Sequence, residues 1–229
     1  MELMTLARAN TNVRQKFMVG VYRWMMLGLI ISAVAAFITA NSPFLLNLIF
    51  GNAFTMIGLI IIELVLVFSL AGRINKMTVG KARFFFILYS IVNGLTLSSV
   101  LLVYTGTSVA QIFLTTALMF GTMSVYGMKT KNDLSSFGRY FAMAIIGLVI
   151  ASVLNIFMNS SGLDWGISIV SVVVFTGLTA YDTQKMLRIS VYADGSENFQ
   201  KVAIIGALEL YLDFINIFLS LLRLFGSRD

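Results

Sequence analysis

The sequence predicts an all-α integral membrane protein with seven transmembrane helices, and three observations lead there. Of 229 residues, 59% are hydrophobic and only 11% charged, far more apolar surface than one soluble core can hide. The apolar residues fall in seven stretches close to the roughly 20 residues that cross a hydrocarbon core. The basic residues fall in every second connection between those stretches. No room remains for a separate soluble domain, so 1–18 reads as a cytoplasmic N-terminal segment and 19–229 as one transmembrane domain.

The predicted spans are 19–40, 54–72, 84–104, 108–128, 140–158, 166–183 and 202–224. The first follows a polar segment and is too long for the h-region of a cleaved signal peptide, so it is expected to be retained. Arg8, Arg14, Lys16 and Arg23 flank or enter this span, and Arg73, Lys76, Lys81 and Arg83 follow the second. The 4/5 connection carries Lys129, Lys131 and Arg139, and the 6/7 connection Lys185, Arg188 and Lys201. Connections 41–53, 105–107 and 159–164 contain neither Lys nor Arg, so the positive-inside rule puts the N-terminus in the cytoplasm at every crossing. A full seventh span then carries the C-terminus outside. Arg223 and Arg228 would suit a re-entrant last segment better, and the full span is the favoured reading.

Trp24, Tyr22, Trp165 and Tyr181 lie near span ends, where amphipathic rings settle at headgroup level. Small residues recur every four positions at Gly28, Ser32, Ala36 and Ala40, and again at Gly147 and Ala151 followed by Asn155, a spacing that lets helix backbones approach. The 13 Met and 19 Phe follow no stripe and read as lipid-facing or gap-filling side chains.

The absence of Cys and His removes disulfides, thiolate and imidazole metal sites, cysteine nucleophiles and the histidine that serine catalysis recruits. No enzyme is expected. The net charge of +6 is distributed as topology signals between spans rather than on one recognition face, so nucleic acid is not an expected partner.

Charge inside a span costs at least about 2.5–3.5 kcal/mol at a helix centre, so each such group asks for a partner or a purpose. Four carboxylates qualify: Glu63, Asp182, Glu209 and Asp213. In the last span Glu209, Asp213, Asn216 and Ser220 share one helical face, a stripe unsuited to lipid, so this helix is expected to be central. Measured from the basic connection at roughly 1.5 Å per residue, Asp182 lies about 9 Å from Arg188, Glu209 about 12 Å from Lys201 and Asp213 about 18 Å from it. Depth alone pairs Asp182 with Glu209 as readily as with Asp213. Glu63 either joins the same polar centre or pairs with Arg73. Asn93 and Asn155, the other mid-span amides, read as interhelical glue.

Two carboxylates close together at low dielectric titrate as a coupled unit, the chemistry of a proton sensor. Their oxygens are also hard ligands, and calcium takes about six to eight oxygens, so protons and calcium would compete for one site. The ending LYLDFINIFLSLLRLFG, the segment GLTAYDTQKM, and also GMKTKNDLSSFG and GLTLSSVLLVYT resemble the Bax inhibitor-1 (transmembrane Bax-inhibitor-motif) family and its bacterial members, from about residue 12 to the C-terminus. The resemblance implies seven helices with the last one central in a bacterial inner membrane. It also implies a pH-sensitive calcium leak, with Asp182 and Asp213 as the gating pair and calcium as a permeant or weakly bound ion rather than a tightly held cofactor. Glu209 joins that site as a position acidic in only some relatives. An arginine of the second helix latches the pair in related proteins; Arg73 is the candidate, although its spacing from Glu63 differs by one residue from the family pattern.

Two other functions compete. Aspartates on the sixth and seventh spans also resemble those of intramembrane aspartyl proteases, but Asp213 follows Tyr211-Leu212 rather than a Gly-x-Gly, and Pro43, the sole proline, forms no Pro-Ala-Leu segment. An interaction protein that restrains a membrane protease is the second alternative.

Overall fold

A computed structural model describes the backbone of residues 2–228 and the side chains of residues 12–228; the Arg8 side chain lies outside them. Among the described residues seven helices are long and apolar enough to cross a membrane, spanning Asn12–Ala40, Ala53–Lys76, Val79–Val103, Gly106–Lys129, Ser135–Met158, Ser161–Ser190 and Glu197–Phe225. The helices are α1 (Glu2–Ala40), α2 (Pro43–Phe50), α3 (Ala53–Arg73), α4 (Val79–Val103), α5 (Gly106–Lys129), α6 (Gly138–Met158), α7 (Ser161–Ser190) and α8 (Glu197–Phe225). Every predicted span is present. α2 falls within the expected connection 41–53, yet its start is written in the chain: Ser42 caps it by accepting from the Leu45 amide at 3.4 Å, and Pro43 occupies the first turn, where its missing N–H costs nothing.

The chain divides into two compact units. The first comprises residues 1–103 and 189–211, the second 104–188 and 212–229, so α8 contributes its first half to one and its second half to the other. Within the apolar window of α8, 67% of residues are buried, against 44% for the next most buried span, as expected for the helix that carries the polar stripe. The outward residues elsewhere are apolar: Phe68 is 70% exposed and Phe157 80%, side chains suited to lipid.

In the first unit α1 lies along α4, and the four-residue spacing of small residues explains how. A Cβ on Gly28 would stand 2.8 Å from the Phe86 ring, and one on Gly94 would stand 2.6 Å from the Ser32 carbonyl and the Ala35 methyl. In the second unit α6 meets α7 through Leu148, Ile167, Val174 and Leu178, with Phe141 and Tyr181 against them. The second small-residue series is covered only in part, with Ala151 packed against the α6/α7 core. Nothing lies within 4 Å of a Cβ placed on Gly147, and Asn155, rather than gluing helices, accepts from the Ser160 amide at 3.0 Å and so covers the turn into α7.

The end of α8 resolves the re-entrant question. The Thr105 amide donates to the Ser227 carbonyl at 3.0 Å, the Ser227 amide donates to Ser108 Oγ at 3.0 Å, and Arg228 lies over the Tyr104 ring at 5.7 Å. The C-terminus is therefore fastened to the α4/α5 connection, one of the connections without basic residues, and α8 runs the full length. Arg228 stacks on an aromatic ring there, and Arg223 is exposed.

Candidate functional site

The second unit holds both aspartates of the predicted pair. Asp182 on α7 is 7% exposed and Asp213 on α8 is 4% exposed, so neither is the solvated interfacial carboxylate that a position near a span end would permit. Each is followed by a residue that touches α5. Thr183 Oγ1 donates to Ser124 Oγ at 3.5 Å, and the Phe214 ring packs against Phe120 and Phe113 with centroids 5.7 and 5.2 Å apart. Phe120 and Ser124 are one helical turn apart on α5, about 6 Å. The same helix thus supports both aspartate-bearing segments. At Gly127 the approach is closest: α5 and α7 come so near that a Cβ there would enter the Ala180 backbone.

Lys185, one turn beyond Asp182, places its ammonium 3.9 Å from Asp182 Oδ1. Between them Gln184 is buried, a residue the sequence reading passed over. Its Nε2 donates to the Asn132 carbonyl at 2.8 Å and its Oε1 accepts from the Leu134 amide at 2.9 Å, so it clasps the α5/α6 connection from both sides. Asp133, at the tip of that connection, pairs with Arg188. The Ser135 amide and hydroxyl, followed by Arg188, hold its carboxyl below the usual carboxylate range. A depressed carboxylate contributes to stability above its unfolded value, so this strap is fully formed at neutral pH and loosens as the pH falls through the lowered folded value.

The stripe on α8 is split. Asp213 and Ser220 are buried, whereas Glu209 and Asn216 lie on the more accessible line that also carries Val202, Ile205, Leu212 and Leu219. Asn216 donates to the Leu212 carbonyl of its own helix at 2.8 Å. Glu209 belongs to the first unit and Asp213 to the second.

Glu63 does not pair with Arg73. It sits in the first unit and accepts from Thr96 Oγ1 at 2.8 Å, with the Asn93 side chain beside it. Arg73 is exposed at the end of α3, ten residues or about 15 Å along the helix, too far for an ion pair with Glu63. Asn93 acts as the predicted glue. Its Oδ1 accepts from the Tyr211 hydroxyl at 2.7 Å, and that hydroxyl lies 2.6 Å from Ser32 Oγ, which reaches the Ser90 carbonyl at 2.7 Å. Tyr211, in the motif LYLDF two residues before Asp213, is fully buried against Phe86 and Tyr89, with centroids 6.3 and 5.7 Å away. Replacing it by Phe removes the shared hydroxyl alone and is expected to cost up to about 1.7 kcal/mol, the upper end for interhelical hydrogen bonds in membranes. Tyr211→Leu, which also strips the ring contacts, should lower the melting midpoint of the detergent-solubilised protein several times further.

Residues 14–229 match the family described as inhibitor of apoptosis-promoting Bax1. The chain belongs to the Bax inhibitor family. It is 49% identical to the inner membrane protein YbhL of Escherichia coli strain K12, over 93% of this chain and 92% of that one. It is 42% identical to an uncharacterized protein of Borreliella burgdorferi over 94% of each, and 38% identical to an uncharacterized membrane protein of Streptococcus pyogenes over 93% of each. With its seven spanning helices, this family member is a multi-pass protein of the bacterial inner membrane. Among its described residues no group of three or more His, Cys, Asp or Glu side chains is arranged to hold a metal ion.

Proposed function

We propose that this Bax inhibitor family protein is not an enzyme but a pH-sensitive calcium leak channel, with Asp182 and Asp213 as the pair that senses protons and meets the ion. The observation that carries this reading is the burial of both carboxylates in one compact unit, on helices whose adjacent residues rest within one turn of each other on α5. A buried carboxylate pair is costly to keep for structure alone, and its charge state changes with pH by an amount that a packed helix interface must accommodate. Acid protonates the pair and favours the closed pore. Deprotonation loosens it, and calcium passes down its gradient as cargo. The Gln184 clasp holds the α5/α6 connection against the end of α7 that also carries Asp182 and Lys185, which links the carboxylate to that connection.

The N-terminus and the basic connections are assigned to the cytoplasmic side on the positive-inside rule, Glu209 is an auxiliary acid, and Arg73 is the remaining candidate for a latch. The test is flux of calcium into protein-only liposomes carrying a trapped calcium dye, stepped from acid to alkaline pH. Flux that rises with pH above that of empty liposomes is the expected result. Flux indistinguishable from empty liposomes at every pH would overturn the channel reading.

A further inference from the structure

The first unit contains a cavity of about 430 Å³ that the carboxylate chemistry does not use, where α1, the start of α4 and the start of α8 adjoin. Lys16 and Arg23 reach it from α1 and Arg83 from α4. Among the described residues that line it none is acidic, and none of these three cations forms an ion pair with a described carboxylate. Asp194 is next in sequence to the lining residue Gly195, but its Oδ1 accepts from the Ser196 amide at 2.8 Å and so faces its own turn.

The walls are prepared in a manner that topology signals alone would not need. Arg83, exposed to solvent, donates to Gln200 Oε1 at 3.0 Å, and its guanidinium lies over the Trp24 ring at 5.7 Å. Phe17 and Phe199 meet edge to face, centroids 6.1 Å apart, and give the cavity an apolar side. Gly20 lies on the lining, and a Cβ placed there meets nothing within 4 Å. The volume falls in the range of about 300–1,000 Å³ typical of small-molecule sites.

We propose that this cavity binds a phosphate ester, its phosphate held by Lys16, Arg23 and Arg83 and its carbon skeleton against Phe17, Phe199 and Trp24. A planar guanidinium already oriented by a hydrogen bond and a ring matches phosphate oxygens, and two further cations complete the charge. The same chemistry is offered by an anionic glycerophospholipid headgroup and by a soluble phosphate ester. The cavity lies where three spans begin, and span ends meet the lipid headgroups, so the lipid is the expected source.

The test uses the full-length protein, delipidated in detergent, with phosphatidylglycerol in one arm and glycerol 3-phosphate in the other, read by native mass spectrometry and by the shift in melting midpoint. Two variants are compared with the wild type: the double substitution Lys16→Gln with Arg23→Gln, and Gly20→Leu, which fills the cavity without removing a charge. One retained phosphatidylglycerol per chain, weakened at least tenfold by both variants while their unliganded melting is unchanged, is the expected result. Variant-sensitive binding of glycerol 3-phosphate alone would support the site with a soluble ligand. Binding of neither probe, or binding indifferent to both variants, would overturn it.

Discussion

Asp213→Asn should abolish the pH dependence of calcium flux while leaving the protein folded. Asn has the shape of the protonated aspartic acid and the site is nearly closed to solvent, so packing against α5 through Phe214 is preserved. What disappears is the ability to release a proton. A gate governed by one proton changes its equilibrium by up to about tenfold per pH unit, since one unit is worth about 1.4 kcal/mol. In the variant that slope should fall to nearly zero, with flux held near the acid level of the wild type. Calcium entry into dye-loaded liposomes across a pH series measures it directly, and a slope unchanged from the wild type would remove Asp213 from the mechanism.

Gly127→Leu should be the most damaging single change to the second unit. A Cβ at this position runs into the carbonyl oxygen, carbonyl carbon and Cα of Ala180, all backbone atoms that no rotamer change can clear. α5 and α7 would have to separate two residues before Asp182, with a cost of about 3 kcal/mol or more, at or beyond the upper end of ordinary overpacking. Gly121→Ala on the same helix is the control. Nothing lies within 4 Å of its added methyl, and the gain in helix propensity is about 0.5–1 kcal/mol, so its melting midpoint should hold or rise. Equal melting of the two variants would mean that α5 and α7 do not approach as closely as Gly127 indicates.

The spans were legible because the bilayer imposes one rule on all of them, about 20 apolar residues between polar ends. The Gly28 to Ala36 series was legible for a similar reason, since small residues at that spacing have few other uses. In the second series Ala151 packs as expected but Gly147 stays uncovered, because spacing reports which residues share a helical face and not how far another helix covers it. α2 was missed although Ser42 and Pro43 announce a helix start; its short apolar run lay below the length sought for a span.

The candidate acids Asp182, Glu209 and Asp213 could be named from the sequence because intramembrane charge is rare enough to be informative, and the family resemblance singled out Asp182 and Asp213 among them. The choice between Glu209 and Asp213 could not be read from helical depth. The face of α8 that carries Asp213 and Ser220 is buried and the line of Glu209 and Asn216 is half-buried, yet Glu209 Oε2 is itself closed to solvent, so both acids remain in the candidate site. Gln184 and Tyr211 were hidden for another reason. A neutral polar side chain in a span is cheap enough to be common, and only its partners, the 130–134 segment for Gln184 and Ser32 and Asn93 for Tyr211, reveal a role.

The central claim is that Asp182 and Asp213 act as one titrating unit, and a double-mutant cycle on the pH dependence of flux tests it most directly. Wild type, Asp182→Asn, Asp213→Asn and the double variant would be compared in the same liposomes. Two coupled carboxylates predict that either substitution removes the pH response and that the second adds nothing. Independent effects that add in the double variant, each single retaining part of the response, would contradict it.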